Sequence, residues 1–237
     1  MMQFSLFEQI ALAIFLLSGI SFFLYHLLLR LKIILKGKSD FSIDQLPKRI
    51  ARVFDEVILH KKVASGKRKS AGILHALVMY GFIFFGLITI NHFGMAFGLP
   101  IFSDSIRHAY FLFFGAPWAI LCSIGILGLA YRRFVIKPEA LGKFSSTSAI
   151  VSVFIVTLMV TYLIDEFHIL SGAAEKFNWW LHSGVIGGFL FLIPQSKHMH
   201  LVLSPFNIFL RPFEVPSHGA IPIDMEASEE ELSVQKF

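Results

Sequence analysis

With 55% of its 237 residues apolar and only 16% charged, the chain departs from the composition of a soluble domain, and 27 phenylalanines with a mean hydropathy of +0.69 point to an integral membrane protein. A single cysteine, Cys122, lying inside an apolar run, excludes a disulfide framework, a CxxC zinc pattern and the ligand set of an iron–sulfur cluster within this sequence. The net charge of +5 raises nucleic acid or anionic lipid as partners, but the placement of the cations gives the better explanation and leaves nucleic acid out.

Five stretches, 10–29, 71–97, 109–130, 148–164 and 179–203, have the length of mainly apolar sequence that a helix needs to cross a bilayer. The predicted fold is therefore all-α: five transmembrane helices in a bundle over residues 1–213, followed by an extended tail over 214–237, rich in proline and then acidic. The first stretch lacks a basic leader and an A-x-A cleavage site and is longer than a signal core, so it is kept as a mature span. Of the 21 lysines and arginines, all but Arg107 and Lys176 fall after the first and third spans or at and beyond the end of the fifth. Cations collect on the cytoplasmic side, which places the N-terminus outside and the C-terminus in the cytoplasm.

In the first cytoplasmic loop, Ser42 and Asp44 stand as helix caps before Leu46, Ile50, Val53, Phe54 and Val57, which recur at helical spacing. This predicts an amphipathic helix over about 44–60, suited to a lipid headgroup surface or to a cytoplasmic partner. The second span, AGILHALVMYGFIFFGLITINHFGMAF, holds His75 near its cytoplasmic end and His92 near its outer end, roughly 26 Å apart at helical rise. Gly81, Gly86 and Gly94 leave room for a neighbouring helix or a flat ring. The outer loop that follows carries Asp104, Arg107 and His108, and the third span contains Pro117, a source of a kink. The fourth span ends at Asp165, Glu166 and His168.

The fifth span, WWLHSGVIGGFLFLIPQSKHMHLVL, has His182 at one end and His198 or His200 at the other. From His182, His200 returns to the same helix face about 27 Å away, whereas His198 is rotated by about 160°; this favours His200, with Pro194 between them able to bend the helix. His60 and His218 read as solvated, His26 as reaching the headgroups, and His108 and His168 as boundary residues. The histidines inside the spans are different, since an ionisable group in a lipid-spanning segment is by default functional. Two antiparallel helices, each with an imidazole at both levels, suit six-coordinate haem iron: His75 with His200 inside, His92 with His182 outside. Iron with both axial positions filled moves electrons and has no open site for bond chemistry. The alternative is a haem-free membrane anchor that recruits a cytoplasmic enzyme, its histidines hydrogen-bonded within the bundle. No repeat pair argues for a transporter, and no Walker, GxSxG or HExxH motif is present.

The entry RKSAGILHALVMYGF to the second span, the WWLH that opens the fifth and the IPQSKHMHLVLSPFNIF that closes it resemble the dihaem cytochrome b gamma subunit of respiratory nitrate reductases. They resemble more closely the membrane modules of heterodisulfide-reductase-type iron–sulfur oxidoreductases, over about residues 5–213. The resemblance implies two b haems in a prokaryotic cytoplasmic (inner) membrane, and electron exchange between a quinone, menaquinone or ubiquinone, and a cytoplasmic iron–sulfur subunit. It puts haem ligands at His75, His182 and His200, with His92 less closely matched because its spacing from His75 exceeds the family's. It also implies that the iron–sulfur domain lies on a separate polypeptide, this chain ending at Phe237. Quinone chemistry needs a proton donor or acceptor near the outer haem, and Asp104, Arg107, His108, Asp165 and Glu166 are the candidates. No complete catalytic centre is expected beyond that quinone site.

Overall fold

Long runs of Leu, Ile, Phe and Val offer no side-chain partners to the backbone, and in an apolar surrounding each N–H must then be met within its own helix. The computed structural model, which describes residues 3–34, 36, 44–61, 69–211 and 213, follows this throughout. Among the described residues there is no strand; the α-helices are α1 (Leu6–Ile34), α2 (Leu46–Val53), α3 (Lys69–Ala96), α4 (Asp104–Tyr110), α5 (Ala116–Tyr131), α6 (Ser146–Glu166), α7 (Ala173–Leu192) and α8 (His200–Leu210). The expected tail over 214–237, with His218, and the expected cap Ser42 lie outside the described residues.

Among the described residues, four stretches are long and apolar enough to cross a membrane: Leu6–Ile33, Lys69–Ala96, Asp104–Ile136 and Ser146–Glu166. Their outward faces carry large apolar side chains, such as Phe7 at 80% and Phe113 at 74% exposure. So much apolar surface belongs in lipid. The third of these stretches is one continuous rod, in which α4 enters α5 through a π-helical turn, Phe111–Gly115, and α5 ends in another, Arg132–Ile136. Pro117, in the first turn of α5, offers no N–H to the carbonyl four residues earlier, and the widened turn just before it takes up the mismatch.

The fifth expected span is not one helix. α7 stops at Leu192, Pro194 follows, a 3₁₀ turn covers Lys197–Met199, and α8 starts at His200. Pro194 has no donor for the preceding turn and its ring crowds that turn's carbonyl; Ser196 then caps the new turn by accepting from the His198 N–H. The same-face relation of His182 and His200, which assumes an unbroken helix, therefore does not apply. α7 is also not among the stretches apolar enough to span, because Glu175, Lys176, Asn178 and His182 fall within its 20 residues.

α3 packs on α5, α5 on α6, α6 on α7 and α7 on α1. Gln9 Nε2 donates to the Ala96 carbonyl at 2.9 Å and joins α1 to the end of α3, closing the ring there. α3 and α5 approach through missing side chains: a methyl on Gly81 would stand 2.8 Å from Cys122 Sγ, and one on Gly125 2.7 Å from the Leu74 carbonyl oxygen. Gly86, by contrast, faces open space and admits no neighbour. Ile88, Phe111, Ala119, Cys122, Met159 and Tyr162 form the core among α3, α5 and α6; Leu12, Ala96 and Trp179 form a second cluster among α1, α3 and α7.

The predicted loop helix is α2 with a π-helical turn, Phe54–Ile58, and it is not free to dock elsewhere by its basic face. Asp44 does not cap it: Gln45 is the cap residue, in left-handed backbone, and Asp44 instead pairs with Arg49 at 2.8 Å. Arg49 is buried and also donates to the Asp44 and Phe209 carbonyls, at 2.8 and 2.9 Å. Arg52 donates to the Arg211 carbonyl at 2.6 Å and covers the Phe213 ring at 3.7 Å. α2 is thus seated on α8 of its own chain, while Leu46, Ile50 and Phe54 stay exposed.

Candidate functional site

At the end of the bundle where the basic loops gather, His75 on α3 meets His200 at the start of α8, their ring centroids 6.1 Å apart. His200 Nδ1 lies 2.8 Å from the Lys197 carbonyl. A carbonyl only accepts, so Nδ1 carries a proton, and in the neutral ring Nε2 is the nitrogen with the lone pair. His75 Nδ1 is buried without a hydrogen-bond partner. His198 packs 6.3 Å from His200 with its Nδ1 near Ser196 Oγ, so of the two it is His200 whose ring stands against His75.

His60 corrects the sequence reading. Expected to be solvated, it is 6% exposed, with its ring 5.7 Å from that of His75 and its Nδ1 2.6 Å from the Val57 carbonyl. The π-helical turn and a left-handed backbone at His60 (φ 51°) fold the chain back, and the Tyr80 hydroxyl donates to the Ile58 carbonyl, drawing this turn onto α3. No spacing in the sequence announces a contact made by a tyrosine twenty residues away.

At the opposite end, His92 on α3 and His182 on α7 have ring centroids 5.0 Å apart, and Trp179 stacks on His92 at 4.7 Å. Thr161 Oγ1 donates to the Thr157 carbonyl at 2.6 Å and stands 2.7 Å from His182 Nδ1. With its one proton engaged, the threonine oxygen accepts from His182 Nδ1–H and leaves Nε2 unprotonated. A ligating histidine held through its other nitrogen has this arrangement. His92 Nε2 bonds Ser183 Oγ at 2.9 Å.

Both imidazole pairs can be tested against an iron held between them. Metal–nitrogen bonds of about 2 Å on each side, with the ring centre set back from its nitrogen, separate the two centroids by roughly 6 Å. The His75–His200 pair has this spacing; the His92–His182 pair is about 1 Å closer and must part, with His92 leaving Ser183, to take iron. Donor type and the orienting bonds at His182 and His200 fit; His182 is half-buried, whereas His200 is exposed. Among the described residues no group of three or more His, Cys, Asp or Glu is placed to hold a bare metal ion.

Beside His92 and His182 opens a cavity of about 350 Å³, within the range of small-molecule sites. Phe4 and Trp179 give it aromatic wall, and Asp104, Arg107, Asp165 and Glu166 line it; His108, the fifth sequence candidate, is exposed and does not. Arg107 Nη1 pairs with Glu166 Oε1 at 2.8 Å, the carboxylate side chain being only 7% exposed. Two lining donors are buried with no partner, Tyr162 Oη and Arg107 Nε. Tyr162 was not legible as a site residue: in sequence it is one more aromatic in an apolar span. His168 also lines the cavity, in left-handed backbone (φ 52°) at the end of α6.

No family model matches the chain, and no solved structure does. In an alignment that covers 81% of its length, it is 30% identical to the probable iron-sulfur-binding oxidoreductase FadF of Bacillus subtilis (strain 168), covering 31% of that protein. Over 91% of its length it is 22% identical to the EtfAB:quinone oxidoreductase of Syntrophomonas wolfei subsp. wolfei, covering 35% of it. The chain thus spans about a third of the length of these curated relatives, both of them oxidoreductases by name.

Proposed function

We propose that the chain is the membrane electron-transfer module of a quinone-linked oxidoreductase, a bundle of a prokaryotic inner membrane in which α7 crosses beside the four apolar spans and the basic end lies in the cytoplasm. Two haem b groups would be held by His75 with His200 at the cytoplasmic end and by His92 with His182 at the outer end. The observation that carries this reading is the facing of an imidazole on α3 by one on α7 or α8 at each end of the bundle. Haem iron held there would supply one-electron exchange.

The chain's own residues do the rest. Thr161 and the Lys197 carbonyl fix the ring tautomers of His182 and His200, so that each presents a lone pair. In the outer cavity, Phe4 and Trp179 bound a flat quinone, while Asp104, Asp165 and Glu166 offer carboxylates for its protons. One cysteine in these spans cannot hold an iron–sulfur cluster, so the bundle exchanges electrons with a cytoplasmic iron–sulfur unit of the heterodisulfide-reductase kind that meets the basic loops. The relative named for iron–sulfur binding and the one named for quinone support this reading, as does the asymmetry of lysine and arginine.

The test is a dithionite-reduced minus oxidised spectrum of the purified chain, with a haem assay. The reading expects b-type bands and two haems per chain; a colourless, folded protein would leave the haem-free anchor in its place.

A further inference from the structure

The outer cavity contains a mismatch between its donors and their partners. Tyr162 is 5% exposed, and its hydroxyl is buried with no hydrogen-bond partner. Arg107 also lines the cavity, and its Nε is buried and unpartnered, although the other end of that guanidinium is paired with Glu166. A buried donor left unmet is costly, and a bound acceptor removes the cost.

The lining specifies that acceptor. An anion would face Asp104, Asp165, Glu166 and Glu175, and a cation has no use for two unmet donors. A neutral, flat molecule with carbonyl oxygens satisfies the donors and lies against Trp179 and Phe4. The backbone beside the hydroxyl is shaped for it as well: a methyl on Gly115, in the π-helical turn Phe111–Gly115, would overlap Tyr162 Oη. Only glycine leaves the hydroxyl where it is.

We infer that Tyr162 binds the substrate directly, its hydroxyl donating to a carbonyl oxygen of the quinone, with Gly115 as the residue that positions it. The inference rests on the cavity being the quinone site. Tyr162 moves no electron; its part is affinity and orientation.

The experiment is calorimetric titration of the full chain in lipid nanodiscs with 1,4-naphthoquinone and with naphthalene, the same bicycle without oxygens. Tyr162→Phe should weaken naphthoquinone binding roughly three- to tenfold, the usual worth of one such hydrogen bond, and leave naphthalene unchanged. Gly115→Ala should do the same by displacing the hydroxyl; if that variant does not fold, the phenylalanine variant decides. Wild-type binding of naphthoquinone with equal binding by Tyr162→Phe overturns the role of Tyr162 while the quinone site stands. A wild-type chain that does not prefer naphthoquinone to naphthalene overturns the quinone site, and the role of Tyr162 with it.

Discussion

Thr161→Val tests whether His182 is a ligand prepared by its surroundings. Valine keeps the branched shape and most of the volume, so α6 and its packing survive. What disappears is the oxygen 2.7 Å from His182 Nδ1. The hydroxyl's own bond to the Thr157 carbonyl is lost with it, but that carbonyl already belongs to the helix. The consequence falls on the imidazole: a buried N–H without an acceptor costs about 1–3 kcal/mol, and the ring escapes this only by shifting its proton to Nε2 or by rotating. Either response removes the lone pair from the pairing with His92. Loss of an orienting partner behind a metal ligand costs about 10- to 100-fold in affinity, or about 1.4–2.7 kcal/mol, so the two routes to the magnitude agree. Titration of haem into stripped membranes should show one of two sites weakened by that factor in Thr161→Val and neither weakened in Thr161→Ser, which keeps the acceptor. Equal affinity of both sites in wild type and Thr161→Val would refute the reasoning.

Three further outcomes follow from other parts of the structure. His200→Ala should remove one haem per chain, that proposed at the His75 end, whereas His198→Ala should retain it, as read by haem content per chain; the reverse result would reassign the ligand. Arg49→Ala should release α2 from α8 at a local cost of about 2–4 kcal/mol, discounted for the half-exposed Asp44, and speed tryptic cleavage between α2 and α3; an unchanged cleavage rate contradicts this. Gly125→Ala puts a methyl 2.7 Å from a backbone oxygen that cannot step aside, and should destabilise by about 1–3 kcal/mol, lowering the melting temperature in detergent, while Gly86→Ala, facing open space, should not lower it.

The apolar runs made the helices legible because a bilayer imposes a length that composition alone reveals. The start and end of α3 and α6 fall within two residues of the expected 71–97 and 148–164. α7 and α8 were read as one span since Pro194 signals strain without saying whether a helix bends or stops; the capping hydroxyl of Ser196 decides for stopping, and that is a contact, not a composition. Rotation along an unbroken helix favours His200 over His198, whereas the structure brings His200 to His75 by breaking that helix. His60, Tyr162 and the seating of Arg49 on α8 escaped because each depends on a partner distant in sequence: Tyr80 and His75, Gly115, and Phe209. Periodicity carries the face of a helix and not the neighbour it finds.

The central claim is that two imidazole pairs each grip one haem iron. Low-temperature electron paramagnetic resonance of the oxidised chain tests it most directly. Two distinct low-spin ferric signals should appear, one lost in His75→Ala and in His200→Ala, the other in His92→Ala and in His182→Ala. High-spin iron alone, or a signal that survives all four substitutions, would contradict the account.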